Sequence, residues 1–198
     1  MALKLEHYNP AVHDSQLVAT LIYLADQEFN AMVYGNLDEG VEAIKSMMQM
    51  EYNYFTYPHL KCAVHDGAVV GVLAGYEGKD KAKLDQVSGK AFAKAFGFWS
   101  LIRRMPTFMR MANISWKNID HDGYMVNTLC VAPEHRGKGF GSKMLHILLS
   151  EYDKVYLDVN MSNLKGQNFY RKHGFAVHSK GMMNYKGKEV GLYSMKKG

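Results

Sequence analysis

The chain has 198 residues, 47% hydrophobic and 22% charged, which is enough for a sizeable buried core and argues against disorder. Its formal net charge of +5 is uneven: residues 79–117 carry nine basic and two acidic side chains, a net +7, so the remainder carries −2 and the protein is not generally basic. MALKLEHYNP has no apolar signal core, the longest apolar-rich run (AFAKAFGFWSLI) is too short to span a bilayer, and the nine histidines and two cysteines form no HxxxH, CxxC or HExxH spacing, so secretion, stable membrane insertion and metal chemistry are not expected.

In chain order, LKLEHY (Leu3 to Tyr8) alternates and predicts a first strand, ended by Asn9 and Pro10. Asp14 or Ser15 can cap a helix with Leu17, Leu21 and Leu24 on one face. A second helical pattern starts at Asp38, with Val41, Ile44 and Met48 on one side; FNAMVYGNLDEG before it reads as a loop. HLKCAVHDGAVVGVLAGYEG predicts a hairpin, because Asp66-Gly67 is a strong turn signal between two β-rich runs. The basic segment, rich in Ala, Phe, Met and Lys, reads as helical with breaks near Gly97 and Pro106. GYMVNTLCVAP predicts a long apolar strand. The glycine-rich EHRGKGFGSKML follows, opening a helix with Met144, Leu145, Leu148 and Leu149 on one face. In KVYLDVN, Val155, Leu157 and Val159 point one way and Tyr156 and Asp158 the other. A helix near Leu164 to Lys172 stops at Gly174, and two strand-like runs, Phe175 to Asn184 and Glu189 to Lys196, close the chain. Cys62 and Cys130 both fall in strand-like segments and read as buried, reduced thiols of a cytoplasmic protein. This order implies an α/β (α+β) fold: a mixed central sheet of about six to seven strands flanked by helices, with a helical insertion between the third and fourth strands. No repeat or linker divides residues 1–198, which read as one domain.

A strand that runs into a glycine-rich turn and then a helix start makes an anion site. Backbone N–H groups point outward without helical partners, and the helix dipole adds roughly half a positive charge there. Glycines let a phosphate come close, and Arg136, Lys138 and Lys143 add full charges beside it. The spacing is not that of a Walker loop. GKGFGS, with Asp158 downstream as a ribose acid, keeps a weak Rossmann reading open, although such loops follow an early strand.

The stretch LCVAPEHRGKGFGSKML resembles the acetyl-CoA-binding motif of the GCN5-related N-acetyltransferases, with Arg136, Gly139 and Gly141 in the motif positions. A second match, NLKGQNFYRKHGF, resembles the family's Asn-x-x-Ala…Tyr-x-x-x-Gly-Phe segment through Asn163, Tyr170, Gly174 and Phe175, with Gly166 where Ala is usual. The resemblance implies that the backbone of Leu129, Cys130 and Val131 pairs with the pantetheine arm, and that a β-bulge in that strand turns an N–H toward the thioester carbonyl. It implies that the N–H groups of Arg136, Gly137, Lys138, Gly139, Phe140, Gly141 and Ser142 hold the pyrophosphate. Asn163 would bond the pantetheine or the acetyl end, and Tyr170 would donate a proton to the departing thiolate. Read without the resemblance, Tyr170 is a helix-face aromatic packed beside Phe169.

An attacking amine must be neutral, so a base is expected. The strand that carries it in many relatives offers only Tyr124, Met125, Val126, Asn127 and Thr128 here. Three routes stay open: Asn127 or Tyr124 orders a water relay, Asp122 or His121 reaches in from the preceding turn, or the amine arrives neutral. The basic insertion also has three readings: a helical pair packed on the domain, a wall or lid of the acceptor site, or a basic amphipathic surface for an anionic partner or membrane. The FNAMVYGNLDEG loop is the expected second wall. The expected function is N-acetyl transfer from acetyl-CoA to a primary amine, with a CoA-binding module lacking turnover as the alternative. Nucleic acid is not an expected partner, and a homodimer is allowed.

Overall fold

The computed structural model describes residues 2–198. A seven-stranded sheet runs in the order β1-β2-β3-β4-β5-β7-β6. Its first half holds β1 (Lys4–His7), β2 (Leu60–His65), β3 (Ala68–Glu77) and β4 (Tyr124–Val131), all antiparallel neighbours. Its second half holds β5 (Val155–Asn160), β6 (Ala176–Tyr185) and β7 (Lys188–Lys197), again antiparallel. The halves meet at the parallel pair β4 and β5. The β2–β3 turn is the Asp-Gly hairpin expected, with positive φ at Asp66 (51°) and Gly67 (78°).

The helices are α1 (Ser15–Ala25), α2 (Gln27–Tyr34), α3 (Leu37–Met48), α4 (Lys81–Phe96), α5 (Phe98–Ile114), α6 (Phe140–Glu151) and α7 (Leu164–Lys172). Asp14 caps α1, accepting from the Gln16 and Leu17 N–H groups at 2.8 and 3.3 Å. One apolar cluster lies under α1 and α3, with Leu21, Ile22, Ile44, Leu60 and Val72 fully buried. A second lies under α6, where Met144, Leu145 and Leu148 meet Leu73, Val155 and Leu157. The sheet is thus covered on both faces. Cys62 and Cys130 are both buried and free, and burial pushes the Cys62 thiol up to about 12. No helix among the described residues is long and apolar enough to cross a membrane.

Two expectations are corrected. The stretch read as a loop from Phe29 to Gly40 holds most of α2, which starts at once after α1, and the first residues of α3. Asp26 accepts from the Phe29 N–H at 3.1 Å, and Phe29 and Met32 bury the i and i+3 positions of this short helix. Gly35, at φ 96°, ends it, and Asn36 caps α3. The second correction concerns Pro106, which lies inside α5 instead of ending it. The bond it forfeits would have gone to the Ile102 carbonyl, and both residues sit on the solvent-exposed face of the helix. Gly97, at φ 83°, is the actual break, separating α4 from α5.

What positions the site is the way β4 and β5 part. They pair only through Tyr124–Val155, Met125–Tyr156 and Val126–Leu157. On the other edge of β4 the register slips: Gly75 faces Val126 and Ala74 faces Thr128, leaving Asn127 as an extra residue. This is a β-bulge, which bends the strand and accentuates its twist. Gly75 is required there, because a Cβ would run into the Met125 carbonyl and the Tyr124 ring. Beyond the bulge, β4 and β5 diverge around an open cleft.

Candidate active site

Two cavities lie along the divergent end of β4. One, of about 370 Å³, is lined by Leu129, Val131, His135, Arg136, Gly137, Gly139, Phe140, Gly141, Ser142 and Phe169. It contains eight of the residues expected to bind a pyrophosphate and pantetheine. Gly137 and Gly139 hold φ near +78° and +79°, the left-handed region that disfavours other residues, and a Cβ on either would meet no protein atom within 4 Å. Their freedom therefore serves the loop's path and the approach of something from outside, not internal packing. Gly139 is also the cap of α6, and no side chain satisfies the first amides of that helix. These amides and the dipole behind them suit a diphosphate. Arg136 turns back and donates from Nε to the Val131 carbonyl at 3.1 Å, tying the loop to the end of β4. Gly141 differs from the other two glycines: its φ is ordinary, and its bare Cα faces Phe169 and Val131 across the cradle.

Lys138 and Cys130 stand apart from this lining. Lys138 is exposed, with its ammonium 3.4 Å from His135 Nδ1. The Cys130 side chain is buried on the opposite face of β4, in the cluster under α1 and α3, so only its backbone belongs to the cleft.

The other cavity, of about 480 Å³, shares Leu129 and Phe169 with the first and continues it inward. Asn127, Asn163 and Tyr170 line it, so the structure brings the remaining expected site residues together here. Tyr170 packs edge-on to Phe169 (centroids 5.2 Å apart) and Phe175 (5.6 Å), and no hydrogen bond among the described residues holds its hydroxyl. Burial raises its phenol above the usual value, so it stays protonated at neutral pH. Asn163 caps α7, accepting from the Gly166 N–H at 2.8 Å. Its amide folds over Gly166, where a Cβ would lie 2.6 Å from Nδ2, which explains Gly at a position where Ala is usual.

The routes through Tyr124, His121 and Asp122 are not supported. Tyr124 is buried in the cluster under α6, its ring 4.5 Å from that of Tyr152. Lys154 pairs with Asp120 and Asp122 at 2.9 and 3.4 Å in the turn before β4, and neither Asp122 nor His121 lines the cleft.

Two carboxylates that sequence reasoning did not assign as bases do line it: Asp158 and Asp26. Asp158 sits one residue past the last β4–β5 pair, across from the Asn127 bulge. Its Oδ1 accepts from Ser194 Oγ at 2.6 Å and its Oδ2 from the Trp116 N–H at 3.3 Å. Burial nonetheless raises its carboxyl above the ordinary range, against the pull of those hydrogen bonds. Asp26 is raised for the same reason, its bonds to Phe29 and Asn160 opposing the shift. A polar residue in the middle of a buried strand was the signal for Asp158. For Asp26 there was none, because it depends on recognising α2. Asn160 extends this end of the site, donating to Glu28 at 2.7 Å, and Glu28 in turn accepts from Lys188 at 2.5 Å. That chain of bonds anchors α2 to the end of β5.

Residues 58–177, more than half of the chain, match the family model of the acetyltransferase (GNAT) domain. The chain belongs to the GNAT acetyltransferase family. Its fold is similar to that of an N-acetyltransferase from Staphylococcus aureus Mu50, with 19% identity, a TM-score of 0.68, and 96% of this chain and 99% of that one covered. It is also similar to a crystal structure of an acetyltransferase at 17% identity and a TM-score of 0.63, covering 100% and 98%. A GNAT family acetyltransferase from Elizabethkingia anophelis with acetyl-CoA bound aligns at 11% identity and a TM-score of 0.53, covering 98% and 97%. In the GNAT sheet the parted pair β4 and β5 is the feature that opens the cleft. The insertion of this GNAT chain serves it too: Met111 and Ser115, at the end of α5, line the inner cavity, and α2 lines the facing wall through Phe29, Asn30 and Tyr34. Among the described residues no group of three or more His, Cys, Asp or Glu side chains could hold a metal ion.

Proposed function

We propose that this chain transfers an acetyl group from acetyl-CoA to a primary amine, a small-molecule amine in preference to a peptide or lysine amine, within a ternary complex. The observation that carries this reading is one continuous cleft with an amide-rich glycine cradle at its outer end and, inward along β4, a protonated phenol and half-buried carboxylates. When bound, the acetyl thioester supplies an acyl group that is already activated, so the protein's tasks are proximity, polarisation and proton management.

The amides from Arg136 to Ser142 hold the pyrophosphate, and the backbone of Leu129, Cys130 and Val131 pairs with the pantetheine arm. The bulge at Asn127 presents main-chain polarity at the point where β4 leaves β5, a position suited to a developing oxyanion. Asp158 accepts the proton of the amine, and Asp26 adds a second negative group that draws a cationic amine toward the cleft. Tyr170 donates the proton that the sulfur requires. Asn163 holds the start of α7, and hence Tyr170, in place. A cavity of about 480 Å³ falls in the range of small-molecule sites. β4 itself carries no carboxylate, but Asp158 on β5 offers a proton acceptor in the same cleft, which supports turnover over a binding module.

A panel of small amines and short peptides, assayed for free CoA thiol and for acetylated product by mass, tests the reading. Small amines should give thiol release well above hydrolysis. Acetyl-CoA binding with no amine-dependent release would return the protein to a CoA-binding module. Gly139→Asp should weaken acetyl-CoA binding at least about tenfold by calorimetry, because it places a negative charge at the uncapped helix start. Unchanged affinity would mean that the pyrophosphate lies elsewhere.

A further inference from the structure

The insertion has a surface that acetyl transfer does not use. Between Gln86 and Ile119 the chain has six basic residues and no acidic one. Its inner side is accounted for. Leu84, Ala91 and Phe92 are buried, and the Phe92 ring packs against Phe96 and Phe108 at 4.4 and 4.8 Å. Arg104 donates to the Val33 carbonyl at 2.7 Å and lies over the Phe96 ring, fastening α5 to α2.

The outer side of α5 is different. Trp99 is 80% exposed, and Phe98 and Met109 are each 63% exposed, with Ile102 and Met105 beside them. At ~100° per residue, Phe98, Ile102, Met105 and Met109 fall within about 60° of one another, a single stripe along the helix. Trp99, Arg103 and Arg110 follow on one flank. None of the ion pairs among the described residues includes Lys90, Lys94, Arg103, Arg110 or Lys117. Arg103 and Arg104 line a shallow groove together with Glu39 and Glu42 of α3. Large apolar side chains clustered on a surface mark a contact face, unlike apolar residues scattered singly.

We propose that this face of α5 docks on an anionic lipid surface. Aromatic and long apolar side chains beside unpaired guanidinium and ammonium groups are the composition of a helix that lies in a bilayer interface. The rings and methionines enter the headgroup boundary, and the cations reach the phosphates. The face is the convex outside of one helix, which a fluid surface can accept without shape complementarity. A second copy of the chain is a poorer occupant, since isologous packing of α5 on itself would bring the cations of both copies together, and α5 itself carries no carboxylate. Because Met111 and Ser115 continue the same helix into the inner cavity, docking would set the acceptor end of the cleft beside the lipid surface.

The test is flotation of the full chain with vesicles of phosphatidylcholine alone and of phosphatidylcholine with about one third phosphatidylglycerol, at low and high salt, alongside tryptophan fluorescence. The expected result is at least about tenfold more protein floating with the anionic vesicles, lost at high salt, and a blue shift of emission. Trp116 is tied inward, donating from Nε1 to the Leu157 carbonyl at 3.0 Å, so Trp99→Phe should abolish the shift and retain the remaining emission. Arg103→Glu with Arg110→Glu should lower flotation about tenfold while acetyl-CoA affinity, a check on folding, stays unchanged. Equal flotation with both vesicle types, or anionic binding indifferent to these α5 substitutions, would overturn the proposal. So would a dimer in sedimentation that Trp99→Ala dissolves, which would give the face to a second copy. Capture by poly-glutamate without any vesicle binding would assign it to an acidic protein partner instead.

Discussion

Asp158→Asn is expected to lower kcat by about 10² to 10³-fold in the thiol-release assay with little change in acetyl-CoA affinity, the size of effect seen when a positioned proton acceptor is removed. Asn is nearly isosteric. It keeps an acceptor for the Trp116 N–H, and its amide can donate to Ser194 Oγ, whose hydroxyl rotates to accept. The pH dependence gives a second reading. Burial raises the Asp158 carboxyl, so its basic form appears only as pH climbs through a value above the ordinary carboxylate range. The acid limb of kcat/KM should therefore lie above that range and vanish in the variant. The stability effect has the opposite sign. A carboxyl whose folded pKa is raised binds more protons in the native state, so its contribution weakens as pH rises through the window between the two values. Asp158→Asn should thus leave the melting temperature at neutral pH unchanged or higher. Loss of activity together with a lower melting temperature would reduce Asp158 to a structural partner of Ser194.

Tyr170→Phe is expected to lower kcat by about 10²-fold, with acetyl-CoA affinity within about threefold of the parent. The ring contacts to Phe169 and Phe175 survive the change, since both are made by the aromatic face and edge. Only the hydroxyl is removed, and it has no hydrogen-bond partner among the described residues. Its raised pKa keeps it a donor well past neutral pH, so no activity should be lost on the alkaline side below the ordinary tyrosine value. An unchanged kcat would return Tyr170 to packing alone.

Much of the architecture was legible from local pattern. The Asp66-Gly67 turn, the alternation in β5, the Asp14 cap and the apolar stripe of α6 are each encoded within a few residues. The order of elements followed from them. The short helix α2 was not legible, because eight residues give barely two turns of periodicity and its cap is also the end of α1. Pro106 misled for a related reason: whether a helix absorbs a proline's lost bond and ring clash depends on how the rest of that helix packs, which is a tertiary property.

The site divides in the same way. The glycine cradle was readable because a helix start, its amides and its loop are contiguous in sequence, whereas Tyr170 was singled out only by the family resemblance of its segment. The sequence by itself therefore determined where an amide-rich glycine cradle forms and which phenol lines the cleft. Only the tertiary structure brought to the cleft the carboxylates proposed to manage the amine's proton. Asp158 and Asp26 are 132 positions apart and come from a strand end and a helix cap. They share one cleft because the Asn127 bulge drives β4 away from β5, and a register slip between strands leaves no trace in either strand's own alternation.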